Sequence, residues 1–342
     1  MLTQMLKGRN LPPLKSREEM LEIMLHEVYG YLPPKPEQLA FENQGKQFPS
    51  CCAGNARCDK IIAHCVVNGK PYSFPFYATV PNDGKKHPFF IHINFHPDIF
   101  DRYMPTEELI DNGFAVLSFC HNDVTEDKKG FDTGLARVLY EDGKRGPTDP
   151  GKIAMWAWAA QRVLDYAETI PDELDLDCAI VCGHSRLGKT ALLAAATDER
   201  FAFACSNNSG STGAAISRGK EGERVEKIST TFPHWFCENY PKYGGKESEM
   251  PFDQHYLVAS IAPRKVLVAS ATLDAWADPI SEQLCCVAAA ERFPGGFVCD
   301  HPAKPDEKFL DGGIGYHLRT GTHYFSRQDW LRLIEFVNKH YK

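Results

Sequence analysis

The chain has 342 residues, 43% of them hydrophobic and 24% charged, the balance of an ordinary globular protein with length enough for a large core. Its 38 basic and 45 acidic residues leave a formal charge of −7, and no Lys/Arg run supplies the electrostatic footprint that a nucleic-acid partner requires. No apolar stretch approaches the length of a membrane span, so neither nucleic acid nor membrane is expected as a partner.

The first residues, MLTQMLKGRNLPPLKSREE, lack the apolar region and small-residue cleavage site of a signal peptide. The expectation is a cytoplasmic protein, or a chain that begins after a removed leader. Of the 12 cysteines, Cys178, Cys182 and Cys205 lie in apolar runs as small hydrophobes, and no CxxC pair occurs. Cys51, Cys52, Cys58 and Cys65 are irregularly spaced near His64; free thiols in an N-terminal β-layer are preferred there over a metal site. Neither metal nor cofactor is expected.

Ser16 and Glu19 form a capping box before an amphipathic run through Met20, Ile23, Met24 and Val28 that ends at Gly30. Residues 60–80 alternate as a hairpin turning at Asn68-Gly69. Short apolar strands follow at 89–95, 115–120, 178–182, 201–205 and 266–270. Between them lie a long helix marked by Ile153, Trp156, Ala157, Ala160, Val163 and Leu164, and a second through Ala191–Ala196. The last helix opens with a capping box at Ser326–Asp329. Such alternation predicts an α/β fold with a mostly parallel central sheet and helices on both faces. One domain over 1–342 is expected, with residues 1–60 as an N-terminal extension packed on it. Reactive residues then belong at the carboxyl ends of the strands.

The loop Gly183-His184-Ser185-Arg186-Leu187-Gly188-Lys189-Thr190 fits two motifs. It matches the phosphate-binding pattern GxxxxGK[ST], and it is close to the nucleophile elbow GxSxG with the second glycine displaced by one position. Context favours the elbow. A P-loop works with a second strand ending in Asp, whereas the next strand here ends in amides, FAFACSNNSG. The match also lies past the midpoint, and an acid and a histidine follow in the order that an α/β-hydrolase triad requires. Arg186 and Lys189 sit in the first helical turn, where the macrodipole disfavours cations by roughly 0.3–1 kcal/mol each; a developing oxyanion or an oxygen-rich substrate would account for them.

A serine hydroxyl needs a base and an acid that orients the base. His323, immediately before the last helix cap, is the expected base; His317 falls in the strand IGYHLR and reads as structural. Asp274, just past the strand 266–270, is the expected acid, while Asp278 before Pro279 reads as a helix N-cap. The oxyanion hole would use the Arg186 backbone N–H and a donor from the loop after Phe95.

GHSRLGK, SNNSGSTGAAISR, FPHWFCENY, MPFDQHYLVASIAPR, DAWADP and RTGTH, in this order, resemble the glucuronoyl esterases of carbohydrate esterase family 15, chiefly the bacterial branch. The resemblance is dense from about residue 150 onward and thin before 85. It implies an α/β-hydrolase fold and cleavage of the ester between 4-O-methyl-glucuronate on xylan and lignin alcohols, without metal or cofactor. It also implies Ser185 as nucleophile, His323 as base and the Arg186 side chain as an aid to the oxyanion. Lys189, Glu223 and Trp276 would hold the glucuronate. Many members carry a catalytic Glu where this chain has Asn208, which shifts the acid to Asp274, a location that some bacterial members use. Three alternatives remain open at this stage: an acetyl xylan esterase or broader carboxylesterase, a P-loop NTPase, and an inactive carbohydrate-binding relative.

Overall fold

The computed structural model describes residues 1–48, 50–96, 105–140 and 143–341. Its sheet comprises β1 (Gln38–Lys46), β2 (Ala56–Val67), β3 (Lys70–Pro81), β4 (His87–Asn94), β5 (Ala115–Cys120), β6 (Leu174–His184), β7 (Phe203–Asn207), β8 (Lys265–Ala271), β9 (Lys308–Phe309) and β10 (Ile314–Arg319). These ten strands lie in the order β1-β2-β3-β5-β4-β6-β7-β8-β10-β9. From β5 to β10 the neighbours run parallel, and antiparallel strands flank that block on both sides.

The main helices are α1 (Arg17–Met24), α2 (Lys152–Ala167), α3 (Arg186–Thr197), α4 (Pro279–Ala289) and α5 (Arg327–His340). Each expected cap is present. Ser16 and Glu19 close a reciprocal box on α1, Ser326 and Asp329 do the same on α5, and Asp278 caps α4 through the Ser281 N–H with Pro279 at the first position. Helix α1 continues as a wider turn over Leu25–Tyr29 that keeps Val28 and Tyr29 buried.

Period-two alternation sends successive residues of the central strands into two cores. Phe89, Ile91, Ala179, Val181, Ala204, Val266 and Val268 pack with α2 and α3, whereas Phe90, Cys178, Ile180, Cys182, Cys205 and Leu267 pack against Trp330, Leu333 and Val337 of α5. Each fully buried large side chain contributes roughly 1.5–3 kcal/mol, which is why both faces of the sheet must be covered. The hairpin joining β2 and β3 turns at Asn68 (φ 52°) and Gly69 (φ 71°), both in the left-handed region that a tight hairpin demands.

The parallel strands all end on one edge. Because β5 and β6 flank β4 on opposite sides, the strand order reverses there and opens a crevice at the carboxyl ends.

Candidate active site

A cavity of about 430 Å³ occupies that crevice, lined by segments after β4 (Phe95, His96), β5 (His121, Asn122, Asp127), β6 (Ser185, Arg186) and β10 (His323, Tyr324, Phe325). Ser185 sits at the sharp turn between β6 and α3 with φ 58° and ψ −126°, a conformation strained for a residue with a side chain. Its N–H donates to the Asn207 carbonyl at 2.8 Å, which pins the turn to β7. A Cβ on Gly183 would lie 2.3 Å from the Leu187 carbonyl oxygen, and one on Gly188 would meet the Gly183 carbonyl, Ser206 Oγ and Ser209 Cβ at 3.1 Å. The second glycine therefore stands where α3 crosses the loop after β7, one residue later than in GxSxG.

His323 directs Nδ1 to Asp274 Oδ2 at 2.6 Å. Asp274 also accepts from Asn208 Nδ2 at 2.9 Å and from the Ala277 N–H at 3.3 Å. Burial works to raise its pKa, but the His323 contact and these donors outweigh it and hold the carboxyl below its usual value. His184 lies against His323 with ring centroids 4.4 Å apart and shares a 2.6 Å hydrogen bond, Nδ1 to Asn207 Oδ1. Burial and the neighbouring His323 push its pKa down to about 3, so it is a neutral wall. His317, by contrast, is buried in β10, 3.5 Å from Asp329.

Arg186 is half-exposed at the cavity wall, its guanidinium over the rings of Phe95 and Trp235 at 5.3 and 4.9 Å. As the first residue of α3, its backbone N–H has no intrahelical acceptor. The second oxyanion donor expected from the loop after Phe95 falls mostly outside the described residues, since 97–104 are not among them.

Lys189, Glu223 and Trp276 do not line this cavity; they gather beside the Asp274 loop. Lys189 is buried and its Nζ donates to the Ser209 carbonyl. Burial lowers its pKa to about 8 against the pull of Glu223 and Glu282. The Trp276 carbonyl accepts the Glu223 N–H at 3.1 Å and Lys220 Nζ at 2.9 Å, while the Trp276 side chain is 54% exposed, an indole face open to solvent.

Two groups escaped the sequence reading. Asp127 lines the cavity beside Arg186 and accepts from His234 and Trp235. Glu282, on the inner face of α4, accepts from Ser270 Oγ at 2.6 Å and the Gly210 N–H at 2.8 Å, and burial pushes its pKa up to about 7.

The arrangement places a serine hydroxyl and an imidazole in one cavity, the imidazole hydrogen-bonded to a carboxylate, beside a guanidinium and helix N-terminal donors. A mostly parallel sheet with a strained serine between β6 and α3, followed in the chain by acid and then histidine, defines the class: a protein of the α/β-hydrolase fold with a serine elbow. The fungal glucuronyl esterase family model matches residues 63–294. Carbohydrate esterase MZ0003, from an unknown prokaryotic organism, is 41% identical over 240 residues, which is 68% of this chain and 55% of that one. The 4-O-methyl-glucuronoyl methylesterase 1 of Phanerochaete chrysosporium is 30% identical over 202 residues, 56% of this chain and 42% of its own. The solved glucuronoyl esterase from Solibacter usitatus superimposes with a TM-score of 0.86 at 29% identity, covering 96% of this chain and 93% of that one. The chain belongs to the glucuronyl esterase family. It spans about half the length of the curated relatives it matches.

Proposed function

We propose that the chain is a serine esterase cleaving 4-O-methyl-glucuronoyl esters, the lignin–carbohydrate ester links of glucuronoxylan, by an acyl-enzyme mechanism. The observation that carries the reading is the strained Ser185 sharing one cavity with His323, itself hydrogen-bonded to Asp274. Ser185 Oγ attacks the ester carbonyl as His323 takes its proton, and Asp274 stabilises the imidazolium. The tetrahedral oxyanion is met by the Arg186 N–H and guanidinium. Collapse breaks the carbon–oxygen bond to the alcohol, which leaves with the proton from His323. Water, deprotonated by the same histidine, then releases the uronic acid and restores Ser185. Lys189, Glu223 and Trp276 would hold the sugar, a cation and a carboxylate for its hydroxyls and an indole for its ring face. The uronate follows from the names of the relatives together with this cluster beside the acid loop.

A second reading, an acetyl xylan esterase or broader carboxylesterase, is favoured by one feature: none of the three sugar candidates lines the cavity beside Ser185. Hydrolysis of benzyl glucuronate beside 4-nitrophenyl acetate, by wild type and Ser185→Ala, separates the two. Fast, Ser185-dependent uronate release with slow acetate release is expected. Acetate cleavage alone moves the substrate to acetylated sugars, and silence on both removes the esterase reading.

A further inference from the structure

Asp127 is a carboxylate that the serine–histidine–aspartate chemistry leaves without a part. It lies in the cavity wall with its side chain only 9% exposed, 59 residues before Arg186 in the chain, yet the two form an ion pair through Asp127 Oδ2 and Arg186 Nη1. The other oxygen accepts from His234 Nε2 at 2.9 Å and Trp235 Nε1 at 2.6 Å, and His121 Nε2 stands 3.9 Å from Oδ2.

The backbone around it is held as firmly. Lys152, at the start of α2, donates Nζ to the carbonyls of Glu126 at 2.5 Å and Lys128 at 2.7 Å, one on each side of Asp127. Trp156 Nε1 adds a 3.0 Å bond to the Thr125 carbonyl. Desolvating a lysine is costly, and burial has lowered the pKa of Lys152 to about 8. A cation spent on two backbone carbonyls fixes the position of the residue between them.

Arg186 needs such a partner. It opens α3, where the helix dipole opposes positive charge, and its Nε is buried with no acceptor among the described residues. The rings of Phe95 and Trp235 restrain the plane of the guanidinium, but rings do not fix its rotation within that plane. An anion on Nη1 does.

We infer that Asp127 is a positioning residue: clamped by Lys152, His234 and Trp235, it holds the Arg186 guanidinium at the cavity wall ready for the oxyanion that forms on Ser185 chemistry. This rests on the esterase reading above and deepens it. Preorganised charge is worth more to a transition state than charge that must be gathered during the reaction, so the contribution falls on kcat rather than KM. Burial works to raise the pKa of Asp127, but His234, Arg186, Trp235 and His121 together hold it well below the usual carboxylate range, so the anion persists throughout ordinary working conditions.

The test is a double-mutant cycle in the full chain with 4-nitrophenyl acetate and benzyl glucuronate. Asp127→Asn keeps an acceptor for His234 and Trp235 and removes the charge. It is expected to lower kcat by roughly ten- to a hundredfold on both esters, short of the 10²–10³ typical of removing an oxyanion donor outright, with KM within about threefold. In an Arg186→Ala background the same change is expected to cost less than about twofold. Asp127→Glu, which restores the charge, is expected to recover part of the loss. Equal losses in both backgrounds, or an unchanged kcat in the single variant, overturn the positioning role while leaving the esterase reading intact. Absence of ester turnover in the wild type overturns both.

Discussion

At the scale of single residues, the acid is the point where this chain departs from the pattern its family resemblance implies. Asn208 stands where many members carry a glutamate, and it donates to Asp274 Oδ2, the same oxygen that meets His323. An amide cannot neutralise an imidazolium, whereas Asp274 can. Asp274→Asn is therefore expected to lower kcat by about 10³–10⁴, the scale seen when a buried triad carboxylate becomes an amide. Asn208→Ala is expected to cost less than about tenfold, because losing one donor leaves Asp274 more basic and its hold on His323 stronger. Steady-state rates of the two variants on one ester decide this, and the reverse order would overturn Asp274 as the acid. The contact between Asp274 and His323 was legible because both stand just past strand ends, where chain order alone supplies the arrangement. The contacts of Asp127 were not. Its partners lie 59, 107 and 108 residues away, and no local spacing signals a carboxylate among polar neighbours after β5. Glu282 was hidden differently, since an acidic residue in the first turn of a capped helix reads as a dipole complement, whereas here it points into the core.

At the scale of elements, the loop from 183 to 190 shows how one local pattern can satisfy two motifs until packing chooses. Gly183 allows β6 to pass under the Leu187 carbonyl, and Gly188 allows α3 to cross the end of β7 and the loop after it, at Ser206 and Ser209. Gly183→Ala places a Cβ against backbone that cannot yield, and it is expected to destabilise the fold by ~3 kcal/mol or more. Gly188→Ala meets atoms at 3.1 Å that include two side chains, so it is expected to cost less. Denaturant midpoints of the two variants give the order directly; an unperturbed Gly183→Ala would mean that the elbow tolerates a wider turn. Elements with strong periodicity or explicit caps, such as α2, α5 and the β2–β3 hairpin, could be read from the chain. The edge strands could not. β1 alternates only between half-buried and exposed positions, and β9 is two residues long, so neither carries an apolar pattern of its own. Their pairing is dictated by the neighbouring strand.

At the scale of the molecule, the crevice that exposes Ser185 at the carboxyl edge of the sheet also buries polar groups behind it, and these tie stability to pH. Glu282 is fully enclosed by Ser270, Ser209 and Gly210, with Asp274, Lys220 and Lys189 as its charged neighbours. Burial raises its pKa from 4.5 to about 7, so the folded chain holds this proton more tightly than the unfolded chain does. The resulting stability is fully present below pH 4.5, declines as the pH rises through 7, and is absent above it. At 1.36 kcal/mol per unit, the decline is on the order of 3 kcal/mol, with the attraction that Lys220 supplies to the ionised form already included. Glu282→Gln imitates the protonated side chain in size and keeps an acceptor for the Gly210 N–H, but it does not titrate. Its unfolding free energy, measured by urea denaturation from pH 4.5 to 8.5, is expected to lack this decline, leaving the variant less stable than or equal to wild type at pH 4.5 and more stable at pH 8.5. Parallel curves for the two proteins would mean that Lys189 and Lys220 hold Glu282 ionised throughout, as a buried ion pair rather than a neutral acid.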